Sequence, residues 1–385
     1  MTMLVEPVQS RAQLEEFLRF PFWLYRDDPA WVPPLLRARR KLFEPRHNPF
    51  YAHAEVALFL ARRAGEIVGT ISAQVDRRHN QAHNSRVGHF GFFETIDDAT
   101  VADVLLATAR DWVRACGMTI LRGPLDFTRE HSCGLLIETD GAPPSVMTTH
   151  NPPYYAALCE RFGLHKAMDS FAYRLDLTQF TRADAATAPF AQIARGAGQN
   201  SRVTIRAATR ASFLRDVLRA RDVFHATFAP NWDFTPFTES EYARVAHQLM
   251  QIGDPAFAIS AESDGALIGV AIAIPDAHQI LKLLNGQLFP FGWLKAMQLQ
   301  RARAITQLRF LIIGVLENHR HQGIELRMFL EILKTAVAQK YRALEFACVL
   351  ENNAKVNLML QYWGKPYGLR VVRRYRMYEM ELDRE

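Results

Sequence analysis

The segment Leu308–Lys340, LRFLIIGVLENHRHQGIELRMFLEILKTAVAQK, contains the pattern that decides the fold. Its first nine residues, 308–316, form an apolar run long enough for a strand that is buried on both faces. Leucine and valine then recur with helical spacing at positions 326, 330, 333 and 337, which predicts an amphipathic helix. The sequence therefore predicts a strand that turns sharply into a helix.

The turn between this strand and this helix suits an anion. Where a strand enters a helix, the first N–H groups of the helix lack partners and point at one spot, to which the helix dipole adds partial positive charge. Phosphate groups bind at such spots. Gly323 lets a phosphate approach the backbone, and Arg320 and His321 add cationic or donor groups. The alternative interpretation is an ordinary strand-to-helix turn that is basic.

Composition and charge limit the classes of protein. The chain has 385 residues, 49% of them hydrophobic and 22% charged, which is a globular balance with room for two domains. We expect neither a membrane-spanning helix nor a signal peptide. The four cysteines are scattered without a C-x-x-C pair, which predicts reduced thiols and a cytoplasmic protein. The net charge of +6 favours anionic partners, whether coenzyme A, lipid headgroups or nucleic acid.

Two copies of one pattern lie 200 residues apart in the chain. Gly65–Gly69 (GEIVG) and Gly265–Gly269 (GALIG) each predict a tight turn that joins two strands. An amphipathic helix precedes each hairpin, over Ala12–Tyr25 in the first half and Ala211–Phe228 in the second. A strand and a helix follow each hairpin, and a strand bearing tyrosine closes each half. This correspondence indicates an internal duplication.

The joint between the copies lies around residues 178–202, where Thr, Ala, Gly and Asn dominate and the apolar period is lost. We therefore predict a first domain over residues 1–178, a linker over residues 179–201 and a second domain over residues 202–385.

The strand, turn and helix around Arg320 resemble the pyrophosphate loop of the GNAT superfamily of acyl-CoA-dependent N-acyltransferases, whose pattern is Q/R-x-x-G-x-G/A. The order of elements in each half also matches that fold. The resemblance implies an α/β protein, of α+β mixed-sheet type, with two tandem GNAT-like domains. Glu325 departs from the pattern, because the family has Gly or Ala there and a carboxylate would face the anion.

The resemblance also implies a co-substrate and the residues that bind it. Acyl-CoA is the expected co-substrate, held by the second copy, and no metal is expected. An Asn at the start of a helix in these proteins commonly contacts the coenzyme arm, although Asn serves equally well as a helix N-cap. The implied binding residues are Val315, Arg320, His321, Gln322, Gly323, Ile324 and Asn353.

Four further stretches are similar to a bacterial family of tandem GNAT proteins of about this length. They are FPFWLYRDDPAWVPPL, GHFGFFETIDD, RGPLDFTREHSCGLLI and NPPYYAALCERFG, all in the first half. That group includes bacterial ceramide synthases, which acylate the amine of a long-chain base. The resemblance therefore implies a long-chain acyl donor and a sphingoid-type amine acceptor.

The first copy lacks the phosphate loop. In its place stand Glu94, Asp97 and Asp98, and carboxylates at a helix start cap it well but repel a pyrophosphate. We therefore predict that this copy does not bind coenzyme A. It either supports the fold or supplies one wall of the acceptor site.

Attack of an amine on a thioester needs a base and gains from an acid. Related enzymes often place a tyrosine seven residues after the helix-starting Asn, but Leu360 occupies that position and Tyr362 lies about 200° around a helix from the expected place. For the base we can name only candidates, each of which also suits a surface or capping role. They are Glu317, Glu345, Glu351 and His225.

A basic, apolar insertion, residues 277–309, precedes the phosphate-loop strand. No Asp or Glu occurs from Ala277 to Leu316, whereas Leu288–Leu294 (LFPFGWL) is too apolar for a solvated loop. Bulky aromatic residues beside unopposed positive charge are typical of an anionic membrane interface or a lipid pocket. The alternative is burial against aromatic residues of the first half, such as Phe22 and Trp31.

The favoured interpretation is an acyl-CoA-dependent N-acyltransferase whose acceptor amine enters between the copies, in a cytoplasmic protein associated with the inner membrane face. One alternative is a tandem GNAT-fold transferase that takes aminoacyl groups from tRNA, and another is a non-catalytic binder of acyl-CoA or lipid. Nucleic-acid binding is not favoured, because the basic residues form no recognisable module. His79 and His83 have metal-ligand spacing but no third ligand nearby, and we interpret them as solvated loop residues.

Overall fold

The computed structural model describes residues 3–129, 131–180, 202–287, 291–301 and 304–383. The chain divides into two compact units. Unit 1 comprises Met1–Phe171, Leu281–Ala296 and Val372–Glu385, and unit 2 comprises Ala172–Ile280 and Met297–Val371. Both units combine segments from the two halves of the sequence. Most of the predicted linker lies outside the described residues, and the boundaries at residues 178 and 202 stay a prediction.

The first half of the chain alternates strands and helices. In order these are β1 (Met3–Pro7), α1 (Arg11–Leu24), α2 (Leu36–Leu42), β2 (Ala54–Arg63), β3 (Glu66–Asp76), α3 (Arg77–His83), β4 (Val87–Thr95), α4 (Ala99–Ala115), β5 (Ile120–Gly123), β6 (Leu125–Asp126), β7 (Ser132–Cys133), β8 (Leu135–Thr139), α5 (Tyr154–Arg161) and β9 (His165–Asp176).

The second half repeats this alternation. Its elements are β10 (Val203–Ala207), α6 (Phe213–Arg219), α7 (Arg221–Phe228), α8 (Glu239–Ile252), β11 (Ala258–Ser263), β12 (Ala266–Pro275), α9 (His278–Leu284), α10 (Gly292–Arg301), β13 (Gln307–Val315), α11 (Ile324–Ala338), β14 (Ala343–Leu350), α12 (Ala354–Met359) and β15 (Arg370–Glu381). The single helix predicted over residues 211–228 is wrong: the chain forms α6 and α7, because the ψ of −11° at Ala220 turns it between them.

Each unit is built on a mixed sheet, as predicted. The sheet of unit 1 has the order β1-β2-β3-β4-β5-β15, with β8 also on β15, and that of unit 2 has the order β9-β14-β13-β12-β11-β10. The pair β4 and β5 is parallel, and so is the pair β13 and β14, whereas the neighbouring pairs along each hairpin are antiparallel. This confirms the α/β, mixed-sheet fold class.

The two hairpins share their irregularities, which supports the duplication. Between β2 and β3 the register shifts at Ala61/Arg62, and between β11 and β12 it shifts at Ala261/Glu262. Both turns are left-handed at corresponding residues, with φ of 51° at Ala64 and 49° at Asp264. A bulge and a turn conserved at an offset of 200 residues indicate that one hairpin was copied.

The principal helix of each unit packs on the sheet through an apolar stripe. In unit 1, α4 buries Leu105, Leu106 and Val113, and a Cβ on Gly69 would lie 2.6 Å from Leu105. In unit 2, α11 buries Met328, and a Cβ on Gly269 would lie 3.2 Å from it. Among the described residues, no helix combines the length and the apolar content that are needed to cross a membrane.

Candidate functional site

The turn that follows β13 is shaped to receive an anion. The chain adopts the left-handed conformation at His321 (φ 65°) and at Gly323 (φ 69°), where α11 begins. Gly323 is the N-cap of α11, and no side chain caps the N–H groups of the first turn. A helix of 15 residues therefore presents uncapped donors and the positive end of its dipole at this turn.

The side chains around the turn differ in exposure. Arg320 is half-buried and its Nε donates to the carbonyl of Val315 across 3.3 Å, whereas His321 and Gln322 are exposed. Glu325, in the first turn of α11, is half-buried and makes no ion pair within the described part of the chain. Ile324 is fully buried under the helix. Backbone donors and Arg320 thus favour an anion, and Glu325 opposes it.

Beside this turn, a gap opens between two parallel strands of unit 2. The ladder between β13 and β14 runs from Gln307↔Ala343 to Phe310↔Phe346 and then stops. The strands themselves continue to Val315 and Leu350. Backbone groups on the facing edges are therefore available to a ligand that carries amides. At the closed end of the gap, the ring of Phe346 lies 5.1 Å from that of Phe310.

The corresponding gap in unit 1 is closed by the chain itself. The parallel ladder between β4 and β5 ends at His89↔Arg122. The chain beyond β5 then crosses β4, so that a Cβ on Gly91 would lie 2.1 Å from the carbonyl oxygen of Leu125. The N–H of Phe92 donates to Oδ1 of Asp126 across 2.6 Å. A ligand arm cannot enter where these atoms lie.

Glu345, one of the predicted bases, lies in an ion pair inside unit 2. Its side chain is fully buried, its Oε2 lies 3.1 Å from Nη2 of Arg174, and Gln307 Nε2 lies 3.4 Å away. An ion pair buried to this extent fits a structural role, since losing one partner leaves the other charge uncompensated. A catalytic role for Glu345 stays a prediction.

The other three predicted bases lie on separate elements. Glu317 is exposed on a single turn of 3₁₀ helix after β13, and Glu351 is half-buried just beyond β14. His225 is half-buried in α7, where its Nε2 accepts the N–H of Phe237 across 3.2 Å. That bond occupies the nitrogen lone pair, and the ring of Phe237 stacks on the imidazole with centroids 6.2 Å apart.

Asn353 is the N-cap of α12. Its side chain accepts the N–H of Val356 across 3.3 Å, which is the capping interpretation, while a contact with coenzyme stays a prediction. Leu360 is buried and Tyr362 is 75% exposed, so the two face different ways. Sequence reasoning missed Asn357, whose Oδ1 accepts the hydroxyl of Tyr173 across 2.8 Å.

A buried carboxyl group in unit 1 was also missed. Glu94, near the end of β4, accepts hydrogen bonds through Oε2 from the hydroxyls of Tyr25 (2.6 Å) and Tyr155 (3.0 Å). Burial raises the pKa of Glu94 to about 7. The prediction that Glu94 caps a helix is wrong, because Asp98 alone accepts the first N–H groups of α4, from Thr100 (2.8 Å) and Val101 (3.3 Å). The sequence signal was a tyrosine in each of the motifs FWLY and PPYY.

Glu94 lines a pocket whose walls belong wholly to unit 1. Asp126 lies in the same wall, and burial raises its pKa to about 6. His150 Nε2 lies 2.7 Å from Oδ2 of Asp28. Burial opposes ionisation of Asp28, but hydrogen bonds from His150 and Ala30 outweigh it and hold its pKa below the usual range. The lining residues are Tyr25, Phe92, Phe93, Glu94, Pro124, Asp126, Ser132, Gly134, Leu135, Thr149, His150 and Asn151.

The histidines set aside from the sequence are not solvated loop residues. His79 and His83 lie on α3 with ring centroids 4.7 Å apart, and His79 is only 5% exposed. The ring of His89, on β4, lies 5.0 Å from that of His79. The interpretation as a loop is wrong because Asp76 accepts the N–H groups of Arg78 and His79 and so starts a helix there.

Comparison with known proteins gives full-length relatives. No family model matches the chain. It is 33% identical over 384 residues to protein YghO of Escherichia coli (strain K12), covering 98% of this chain and 95% of that one. It is also 33% identical over 384 residues to the bacterial ceramide synthase of Caulobacter vibrioides, covering 98% and 97% of the two chains.

Solved structures share the fold over the whole chain. A tandem GNAT protein from the clavulanic acid biosynthesis pathway superposes with a TM-score of 0.57, at 13% identity and full coverage of both chains. A GCN5-related N-acetyltransferase from Sphaerobacter thermophilus gives 0.53, at 12% identity, covering 98% of this chain and 95% of that one. The predicted tandem GNAT architecture is therefore confirmed. The chain belongs to the tandem GNAT N-acyltransferases, in the family that contains the C. vibrioides bacterial ceramide synthase.

Proposed function

We propose that this protein transfers a long-chain acyl group from acyl-CoA to a primary amine, and that the amine is a sphingoid-type base. The observation that carries the proposal is the pairing, in unit 2, of an uncapped helix start at Gly323 with an open gap between β13 and β14. Neither feature alone selects acyl-CoA, since a helix start accepts any phosphate. Together they suit a ligand with a pyrophosphate and an amide-bearing arm.

The residues of unit 2 have distinct parts in holding this co-substrate. The first-turn N–H groups of α11, with Arg320 and Gly323, hold the pyrophosphate, and the exposed His321 and Gln322 add donors at its rim. The strand edges between Phe310 and Val315 pair with the amides of the arm. Asn353 is in place at the start of α12 to contact the same arm while it caps the helix. Glu325 weakens binding relative to a small residue.

Acyl-CoA supplies an activated thioester. In the transfer, the amine nitrogen bonds to the acyl carbon, the carbon–sulfur bond breaks, and coenzyme A leaves as a thiolate that takes up a proton. The ammonium must lose a proton before attack, so a base is needed. Glu317, Glu351 and His225 stay candidates for it. A strong acid is not required, because a thiolate is a stable leaving group, which agrees with Leu360 at the place of the usual tyrosine.

A lipid acceptor is supported by the surface of the insertion as well as by the named activity of the C. vibrioides relative. Phe291 is 73% exposed, and Trp293 and Leu283 are about half exposed. Lys282 and Lys295 are exposed on the same segment. Exposed aromatic residues beside lysines suit an anionic membrane surface. We propose that residues 277–309 contact the membrane from which the acceptor is drawn; residues 288–290, 302 and 303 of this segment lie outside the described residues.

Packing against the first half accounts for the rest of the insertion. A Cβ on Gly286 would lie 2.9 Å from the ring of Phe22. The ammonium of Lys282 donates to the carbonyl of Pro29. The two interpretations of the insertion therefore apply to different residues within it.

The test uses two glycines with the same backbone conformation. Gly323→Ala and Gly265→Ala both place a side chain at a φ near 70 to 80°, but only Gly323 lies at the proposed phosphate site. We expect isothermal titration calorimetry to show palmitoyl-CoA binding that Gly323→Ala weakens at least tenfold, about 1.4 kcal/mol. Gly265→Ala, which costs similar backbone strain, leaves binding unchanged.

Turnover is measured as thiol release with a panel of amines, and the acylated product is identified by mass spectrometry. Long-chain amino alcohols are the expected acceptors. Binding of palmitoyl-CoA without turnover of any amine would favour a non-catalytic binder. Absence of binding to the parent protein, or equal binding by Gly323→Ala, would refute the assignment of unit 2, and copurifying RNA would favour the tRNA-dependent alternative.

A further inference from the structure

The pocket of unit 1 holds more acid than the surrounding residues neutralise. Glu94 and Asp126 both line it, and they act on each other, since the charge of Asp126 contributes to the raised pKa of Glu94. Arg39 is the cation whose charge acts on both carboxyls. Two acids facing one guanidinium leave a net negative charge in a water-poor site, and such a charge is costly unless a cation joins it.

Each carboxyl group keeps one oxygen available. Oε2 of Glu94 accepts the two tyrosine hydroxyls, and Oδ1 of Asp126 accepts the N–H of Phe92, whereas Oε1 and Oδ2 have no hydrogen bond in the described part of the chain. The hydroxyl oxygen of Thr149, which also lines the pocket, is buried without a partner. Buried polar atoms are seldom left without partners, so these three oxygens indicate a ligand that donates hydrogen bonds.

The tyrosines fix the direction in which the Glu94 carboxyl faces. Tyr25 and Tyr155 are 3% and 1% exposed. The N–H of Thr95 donates to the hydroxyl oxygen of Tyr155 across 2.7 Å, and the hydroxyl then donates to Glu94. Tyr25 is held in turn by Trp31, whose ring stacks on it with centroids 5.2 Å apart. A carboxyl oriented by two locked donors is a pre-organised acceptor for a third.

The remaining lining is apolar and aromatic. Phe92, Phe93, Pro124 and Leu135 form the other walls, and the space within, including its open mouth, is about 320 Å³. Aromatic faces attract cations as well as alkyl groups. An anion is disfavoured by the two carboxyls, and a neutral alcohol would leave their charge uncompensated.

We propose that this pocket binds the head of the primary amine acceptor, with its ammonium group between Glu94 and Asp126 and its neighbouring hydroxyl groups directed at Thr149. This rests on the proposed function for the identity of the acceptor, and it assigns the two GNAT copies different ligands. The copy that lost its phosphate loop and filled its strand gap kept an acidic pocket for the amine. Its acids also give the ammonium an acceptor for the proton that it must lose.

The binding test needs no acyl-CoA, so its failure is distinct from failure of the proposed function. The probe is hexylamine, titrated calorimetrically into the full chain, with hexanol and hexanoate as comparison ligands of the same length. We expect saturable binding of hexylamine and at least tenfold weaker binding of hexanol and hexanoate, because only the amine carries the compensating charge. Equal binding of hexanol and hexylamine would overturn the proposal.

Two variants locate the site. Glu94→Gln keeps an oxygen for both tyrosine hydroxyls and removes the charge, and Asp97→Asn removes the charge of an exposed neighbour three residues away. We expect Glu94→Gln to weaken hexylamine binding at least tenfold and Asp97→Asn to leave it unchanged. Equal losses in both variants, or none in either, would contradict the pocket. If palmitoyl-CoA still binds in that case, the proposed function stands without it.

Proton release provides a test without any variant. A bound ammonium stabilises the ionised carboxyls, so hexylamine binding at about pH 6.5 must release protons from groups that are partly protonated. The number released is obtained from titrations in buffers of different ionisation enthalpy. We expect release at about pH 6.5 and almost none at about pH 8.5, where the carboxyls are already ionised. No release at the lower pH would refute binding at these acids, and Mg²⁺ competing with hexylamine would indicate a cation site of another class.

Discussion

The backbone N–H of Phe92 and the carboxylate of Asp126 join across 2.6 Å, and with that bond the chain of unit 1 fills the space between its own parallel strands. In unit 2 the equivalent ladder stops at Phe310↔Phe346 and the space beyond stays open. The same local design is thus finished in two ways within one chain. A closed gap excludes an extended ligand arm, whereas an open one offers unpaired backbone groups to it.

The closed gap depends on a glycine at position 91. A Cβ there would lie 2.1 Å from the carbonyl oxygen of Leu125 and 3.1 Å from Oδ1 of Asp126. Because backbone atoms cannot yield as a side chain can, we expect Gly91→Ala to lower the free energy of unfolding by about 3 kcal/mol. The control is Gly141→Ala, at a position with open space around it. Urea unfolding curves of equal midpoint for the two variants would contradict this account.

The ion pair of Glu345 with Arg174 predicts a structural outcome for a residue that the sequence nominated as a base. Glu345→Gln removes a fully buried charge and leaves Arg174, whose side chain is 17% exposed, without it. We expect a loss of about 3 kcal/mol in stability and a clear fall in Tm. Below that Tm, kcat should stay within a few-fold of the parent. Glu317→Gln, at an exposed site, serves as the matched control, and a loss of kcat with Tm unchanged would instead establish Glu345 as the base.

Glu94 predicts a pH dependence of stability. Its pKa is raised from 4.5 to about 7, so between these values the folded chain binds more protons than the unfolded chain. Stability therefore falls as pH rises through this window, and the contribution is fully present only below its lower end. Asp126, with a pKa raised to about 6, acts in the same direction.

Glu94→Gln removes that contribution, and thermal unfolding measures it. We expect the Tm of the parent to fall more between about pH 5 and pH 7.5 than the Tm of Glu94→Gln does. Above the window the variant should equal or exceed the parent, because the uncompensated charge is gone. Parallel pH profiles for the two proteins would mean that Glu94 titrates as an ordinary exposed carboxyl.

The exposed aromatic residues of the insertion predict binding to vesicles. Phe291→Ser with Trp293→Ser removes apolar side chains that are 73% and 46% exposed. We expect sedimentation with vesicles containing anionic lipid to fall at least tenfold, and to fall for the parent too when salt is raised. Leu4→Ser, at a site 57% exposed elsewhere in unit 1, is the control. If all three proteins sediment equally, the insertion is not the contact surface.

The elements of the fold follow from local signals, which is why they are predictable. Gly65 and Gly265 mark left-handed turns, and the strands that they join begin and end within a residue or two of their polar flanks. The period of Leu326, Leu330 and Leu333 predicts α11 in the same way. The helix at residues 211–228 fails because nothing in its apolar period reports the turn at Ala220.

The amine pocket is not predictable in this way, because its contacts are distant in sequence. Tyr25 and Glu94 are 69 residues apart, and Tyr155 is 61 residues from Glu94. From sequence, a carboxylate just before a helix is most simply a cap, and only the folded chain shows that Glu94 faces inward. The phosphate turn differs because strand, turn and helix adjoin, so that its whole geometry lies within one local pattern.

The strand β15 has a consequence for how the protein is made. Val372–Glu385 complete the sheet of unit 1, where β15 pairs with β5 and β8, although that unit begins with β1. On the ribosome, the first unit to emerge therefore waits with an open sheet edge until almost the whole of unit 2 has been translated. A nascent chain in that state exposes a template for non-native strand pairing, so trigger-factor-type chaperones, slow codons upstream of residue 372, or the choice of expression tag at that end should govern the yield of correctly assembled protein.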